Sequence, residues 1–227
     1  MAILSRTPLG APPWPTRDPF LFCVHHRDDY PPGNAQLGVD AAALGGRNIG
    51  SDFTLKDGWR MYHGREVPGF PQHPHRGFET ITFVRTGALL HEDSRSSPKI
   101  VHAGGVQWMT AGSGIVHNES APPALRKSGG PFEVLQLWLN LPSTLKGAAP
   151  HYVGLEAEDI PSIAIDGATI VVAAKWDDDA GDVDGYSAKA RVFEVDGSPT
   201  SGELALNREG AGDQITPGVA VLANDEW

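Results

Sequence analysis

Two short runs in this 227-residue chain place metal-binding side chains at a spacing that one ion can use. In His73-Pro74-His75 the imidazoles are two residues apart, so on an extended backbone both project to the same side. His117-Asn118-Glu119 repeats that parity with an imidazole and a carboxylate. Brought face to face, the two runs offer three neutral nitrogens and one anionic oxygen. Such a set suits iron, manganese, nickel, copper or zinc, whereas calcium and magnesium take all-oxygen shells. Four protein ligands leave one or two positions of an octahedral shell open to a small molecule or dioxygen. Either run alone is weak evidence, because histidines on exposed strands are common and His-x-Glu is weaker still. Together, each within Gly-rich strand and turn sequence, they make a metal centre the leading expectation. The other histidines do not share the pattern. His25 and His26 fall in an irregular N-terminal segment, His63, His102 and His151 stand alone, and all five read as surface or supporting residues. His91, in HEDS, is the least settled, since it sits on a candidate barrel strand.

The elements that must position these groups read as short strands. Glycine (27) and proline (19) are frequent and spread along the chain, as in a fold of many strands and turns. WRMYH (59–63), FETITFV (78–84), ALLHEDS (88–94), VQWMT (106–110), GIVHNE (114–119) and EVLQLWLNL (133–141) have strand lengths, and several alternate. FETITFV sets Phe78, Thr80, Thr82 and Val84 opposite Glu79, Ile81 and Phe83. EVLQLWLNL sets Val134, Gln136, Trp138 and Asn140 opposite four leucines. Polar groups thus intrude on faces that look buried, where one without a partner costs about 1–3 kcal/mol. A barrel with a wet or metal-lined interior removes the difficulty.

The first 35 residues, rich in proline and turn formers, are expected to wrap a surface, with FLFCV (20–24) their one strand-like piece. After Pro142 a connection with one short helix is expected, and then a second β unit from ATIVVAA (168–174), ARVFEVD (190–196), GELALN (202–207) and GVAVLAN (218–224). The domain reading is therefore 1–150 for the metal-binding barrel and 151–227 for a C-terminal β unit without metal ligands. WDDDAGDVDG (176–185) lacks the sixth-position glycine and closing glutamate of a calcium loop and reads as a solvated turn.

Composition excludes some functions. With 18 basic against 28 acidic side chains, a net charge of −10 disfavours direct nucleic-acid binding. No apolar run approaches the roughly 18 residues of a membrane span, and the N-terminal apolar run is too short for a signal peptide. A single cysteine, Cys23, permits no internal disulfide and reads as a packed residue. A cytoplasmic protein is the expectation.

The spacing Gly69-x3-HPH-x3-Glu79-x7-Gly87, followed by Gly112-Ser113-Gly114-x2-His117, resembles the two short motifs of the cupin superfamily. GFPQHPHRGFETITFV, HEDS, VQWMTAGSGIVHNE and LQLWLNLP further resemble the pirin family, in wording and order, over about residues 15–150. That resemblance implies an all-β, jelly-roll bicupin with one iron-type ion in the N-terminal barrel. Its ligands carry over to His73, His75, His117 and Glu119. Glu79 stands where many other cupins draw their carboxylate ligand, while pirins use the later one, so Glu79 is expected to orient an imidazole from outside the ligand set. Gln136 and Trp138, on one face, are expected at the pocket mouth. Pirins usually run longer, so the second barrel here is expected to be short or incomplete. Bacterial pirins resemble quercetin 2,3-dioxygenases, which implies an aromatic substrate, dioxygen and Glu119 as catalytic base. The rival implication is a non-catalytic redox sensor that contacts a protein partner, as monomer or homodimer.

Overall fold

The computed structural model describes residues 14–160 and two short strands, β10 (Lys189–Ala190) and β11 (Leu204–Ala205), which pair antiparallel. Residues 14–158 lie within one compact unit. It is built of two antiparallel sheets. The first has the order β1 (Phe20–Tyr30), β8 (Gly130–Asn140), β3 (Phe78–Thr86), β6 (Val106–Thr110) and β9 (His151–Leu155). The second runs β2 (Gly69–His75), β7 (Ile115–Ser120), β4 (Ala88–Asp93) and β5 (Lys99–His102). Two short helices, α1 (Ala41–Leu44) and α2 (Pro123–Ser128), sit in connections. No helix among the described residues is long and apolar enough to cross a membrane. The all-β expectation holds.

Strand alternation decides what the sheets bury. Thr80, Thr82 and Val84 are buried on β3, opposite Trp138, Gln136 and Val134 of β8. On the other side of β3, Thr80 pairs with Met109 and Thr82 with Gln107 of β6. Val84 joins an apolar cluster with Leu89, Val101, Phe132 and Val134, and Met109 joins another with Ala111 and Ile115. Along β3, Thr82 lies between these two clusters, and its neighbours Gln136 and Gln107 are buried as well. A polar band inside an apolar barrel is therefore real, and it marks the site.

Three segments differ from the sequence reading. β1 spans eleven residues instead of five and pairs along its length with β8, so His25 and His26 lie on a strand. Its alternating buried positions are His26 and Asp28, polar groups that hydrophobic periodicity cannot register. Arg60 makes that burial tolerable by donating from Nε to Asp28 at 2.9 Å. WRMYH forms no strand; its one ladder contact is the bridge between Asp52 and Met61, and Trp59 and Met61 pack in a loop cluster with Val39. HYVGL, expected within a connection, is β9 and pairs with β6, so the first unit reaches past residue 150. The strands expected at 168–174 and 218–224, and the acidic turn at 176–185, lie outside the described residues. Cys23 is half-buried and free.

The turn from β6 to β7 brings His117 and Glu119 into place. Gly112 adopts φ +48, accepts from Gly77 N–H at 2.8 Å, and lies so close to the next chain segment that a Cβ would meet the Ala148 carbonyl oxygen at 2.1 Å. Left-handed backbone with a side chain costs about 1–2 kcal/mol, and the clash adds about 1–3. Gly112→Ala should therefore lower unfolding free energy by about 2–5 kcal/mol in urea titration. Gly147→Ala, with nothing within 4 Å of its new Cβ, should stay within about 0.5 kcal/mol of the parent.

Candidate metal centre

Three imidazoles meet at the end of the β2–β7 ladder. His73 pairs directly with His117 across it, and a bulge between Phe70 and His73 gives β2 one extra residue there. Pro71 lies in that bulge, where its missing N–H removes no ladder bond. Ring centroids of His73, His75 and His117 are separated by 4.4–4.8 Å, and one nitrogen from each falls within 4.8 Å of the others. His73 Nδ1 lies 2.7 Å from the Pro71 carbonyl, which only accepts. Nδ1 must therefore carry the proton, and the lone pair of the neutral ring sits on Nε2, 3.1 Å from His75 Nε2.

Charge on His75 and His117 is disfavoured. Burial, then His73, lowers the His75 pKa to about 4. Burial, then His73, His75 and His91, lowers that of His117 to about 2. Neutral imidazoles with free lone pairs are what a divalent metal requires. Both ring nitrogens of His117 are buried without a hydrogen-bond partner among the described residues, an expensive arrangement that a bound cation would relieve. The donor set and its orphaned atoms thus fit a metal ion.

Glu119 is the candidate carboxylate. It is buried on β7 and reaches across to the other sheet, where Gln136 Nε2 donates to its Oε2 at 2.9 Å and Gln107 Nε2 donates to its Oε1. Both amides are themselves oriented. Trp138 Nε1 donates to Gln136 Oε1 at 2.8 Å, and Tyr152 Oη donates to Gln107 Oε1 at 3.1 Å, so each amide must turn its NH₂ toward Glu119. Burial lifts the Glu119 pKa to about 7, partly offset by these two amides.

A cavity of about 540 Å³ opens onto this centre. His73, His75, Glu119 and Gln136 lie at one end, and Phe22, Phe53, Tyr62, Phe70 and Trp138 supply aromatic walls. Trp138 stacks on Phe78 at 4.6 Å and meets His75 edge-on at 4.9 Å.

The structure brings His73, His75, His117 and Glu119 into two overlapping clusters, the second of which contains His91 with His117 and Glu119. Gln136 and Trp138 line the cavity, though Gln136 also clamps the carboxylate. Glu79 is elsewhere. Alternation turns it to the face of β3 opposite Thr80 and Thr82, where Thr110 Oγ1 donates to it at 2.7 Å, and it belongs to neither histidine cluster. Sequence reasoning missed Gln107, Tyr152 and His91. For His91 a signal existed, because His91-x-Asp93 repeats the two-residue parity of the ligand runs.

The chain is similar to known proteins. The family model described as Pirin matches residues 42–139. A pirin-like protein of Caulobacter vibrioides is 40% identical over 130 residues, covering 56% of this chain and 46% of its own. A pirin-like protein of Arabidopsis thaliana is 46% identical over 110 residues, covering 48% of this chain and 35% of its own. The chain thus spans less than half the length of these relatives. Among solved structures, a quercetin 2,3-dioxygenase from Acinetobacter baumannii superposes with a TM-score of 0.52 at 31% identity, over 76% of this chain and 51% of its own.

Glu119 makes stability depend on pH. Its folded pKa of about 7 lies above the ordinary 4.5, so its contribution is fully present below pH 4.5 and is lost as pH rises through 7. In metal-free protein, the stability of Glu119→Gln relative to wild type should rise between pH 4.5 and 7 by on the order of 3 kcal/mol. Denaturant titrations across that range check it; a flat difference would contradict the raised pKa.

Proposed function

We propose that this chain, whose residues 42–139 match the Pirin family model, is a metal-dependent dioxygenase of the pirin family, or the metal-bearing part of one. Its substrates are flavonols such as quercetin, opened with dioxygen, and one iron-type ion is held by His73, His75, His117 and Glu119. The observation that carries this reading is the aromatic-walled cavity of about 540 Å³ lined by His73, His75 and the buried Glu119, with His117 clustered beside the two imidazoles. Cavities of about 300–1,000 Å³ with apolar walls and a few convergent polar groups suit small organic ligands. The solved quercetin 2,3-dioxygenase that resembles this chain supports the substrate class.

The side chains divide the work. Phe22, Phe53, Tyr62 and Phe70 offer ring faces and edges to a flat polyphenol and keep water from it. Glu119 accepts the flavonol hydroxyl proton at a carboxylate oxygen, and a pKa of about 7 suits an acceptor working near neutral pH. Gln136 and Gln107 hold that carboxylate in one orientation while it changes charge. When bound, an iron-type ion would supply Lewis acidity and a redox-active centre at which flavonol and dioxygen meet.

Aerobic incubation of quercetin with protein loaded in turn with Fe(II), Mn(II), Ni(II) and Cu(II) tests the reading. Loss of flavonol absorbance with a ring-opened product by mass spectrometry is expected; no turnover with any of the four would overturn the flavonol assignment. Elemental analysis tests the ligands separately. His75→Ala should abolish stoichiometric metal uptake, whereas His102→Ala, an exposed residue facing Glu156, should retain it. Equal metal content in the two variants would refute the ligand set.

A further inference from the structure

We propose that His91, oriented by Asp93, is the acceptor for the ring N–H of His117 and thereby decides which His117 nitrogen is offered to the metal. This rests on the metal-centre reading above, but no part of that reading assigns His91 or Asp93 a task. In the β4–β7 ladder His91 lies opposite Glu119 and Asp93 opposite His117, so one His-x-Asp run is set against the other strand's His-x-Glu run.

The protons can be assigned in sequence from Asp93. Its side chain is fully buried and accepts from Arg95 N–H, Ser96 N–H and Ser96 Oγ, each at 2.6 Å. His91 Nε2 lies 2.8 Å from its Oδ2. An ionised carboxylate only accepts, so Nε2 carries the His91 proton and Nδ1 carries the lone pair. That Nδ1 is buried and has no partner among the described residues. The His91 ring stacks on Tyr152 at 4.0 Å and 9°, which favours this orientation.

His117 presents the complementary need. A neutral imidazole has one lone pair and one N–H, and both of its nitrogens are buried and unpartnered. If the lone pair serves the metal, the N–H must find an acceptor or bear the cost of an unsatisfied buried donor. Two candidates are near: His91 and Glu119 each offer an atom in a cluster with His117 that spans no more than 4.8 Å. Both Glu119 oxygens already accept from Gln107 and Gln136. His91 Nδ1 has no other donor, and the His91 and His117 ring centroids lie 5.3 Å apart, within reach of a small adjustment or one bridging water. Three orphaned nitrogens are then accounted for by one ion and one hydrogen bond. Asp93, His91 and His117 form a string in which each member sets the tautomer of the next, as outer partners of metal-bound histidines do.

The test uses the full chain loaded with Zn(II), with affinity measured by competition against a chromophoric chelator and tautomers read by ¹⁵N NMR of histidine-labelled protein. His91→Leu removes the acceptor and should weaken Zn(II) binding about 10- to 100-fold. His91→Asn, whose amide oxygen can stand near the position of Nδ1, should restore it. Asp93→Asn should weaken binding like His91→Leu, because an amide donor facing Nε2 moves the His91 proton to Nδ1, the inversion seen for Asp→Asn in the Ser-His-Asp triad. In that variant the protonated and unprotonated nitrogen signals of His91 should exchange, which loss of packing alone would not produce. The proposal is overturned if His91→Leu binds Zn(II) as tightly as wild type, if His91→Asn is as weak as His91→Leu, or if a His91 nitrogen shows a metal-bound shift. A wild-type protein that takes up no Zn(II) would overturn the metal-centre reading and this inference with it. Wild-type uptake with no effect of His91→Leu removes this inference alone.

Discussion

A carboxylate buried between two sheets is the constraint on which the site depends. Glu119 is 3% exposed, and burying an ionisable group without partners costs several kcal/mol. Gln107 and Gln136 meet that demand from the opposite sheet, and Trp138 and Tyr152 in turn fix the orientation of the two amides. The register of β3 with β8 and β6, which aligns Gln136, Thr82 and Gln107 in one row, is therefore also a condition for Glu119 to exist where it does. The pleat of one sheet and the ionisation of a group on the other are coupled through two amides.

The histidines obey the same rule with opposite sign. Burial and mutual proximity keep His75 and His117 neutral, which frees their lone pairs but leaves both ring nitrogens of His117 unsatisfied among the described residues. An apolar barrel would be more stable without them. Their presence, together with the aromatic cavity that opens onto them, is best understood as a site in which stability is given up for binding. The metal and the flavonol are proposals about what is bound; the unsatisfied His117 nitrogens are the physical observation that motivates them.

Much of this was legible in the chain. Strand lengths and alternation placed β3, β4, β6, β7 and β8 within a few residues, and the polar residues Thr82 and Gln136 on buried-looking faces pointed to a polar interior. What stayed hidden shares one cause. β1 buries His26 and Asp28, whose polarity masks the period-two pattern, and Arg60, thirty-two residues away from Asp28, is what makes that burial possible. β9 hid in a turn-rich connection because its strand character comes from pairing with β6 and not from its own composition.

By itself the sequence determined that His73 and His75 share a side, and that His117 and Glu119 share another, because a strand repeats every two residues whatever surrounds it. Spacing alone could not decide between Glu79 and Glu119, since both occupy strands and both can face inward; only the pirin resemblance favoured Glu119. The tertiary structure turned Glu79 to Thr110 and Glu119 to Gln107 and Gln136, and it set His91 and Asp93 against the Glu119 strand. Which face of a strand becomes interior, and which strand lies beside it, follows from long-range register between segments tens of residues apart. Local spacing carries no information about that register.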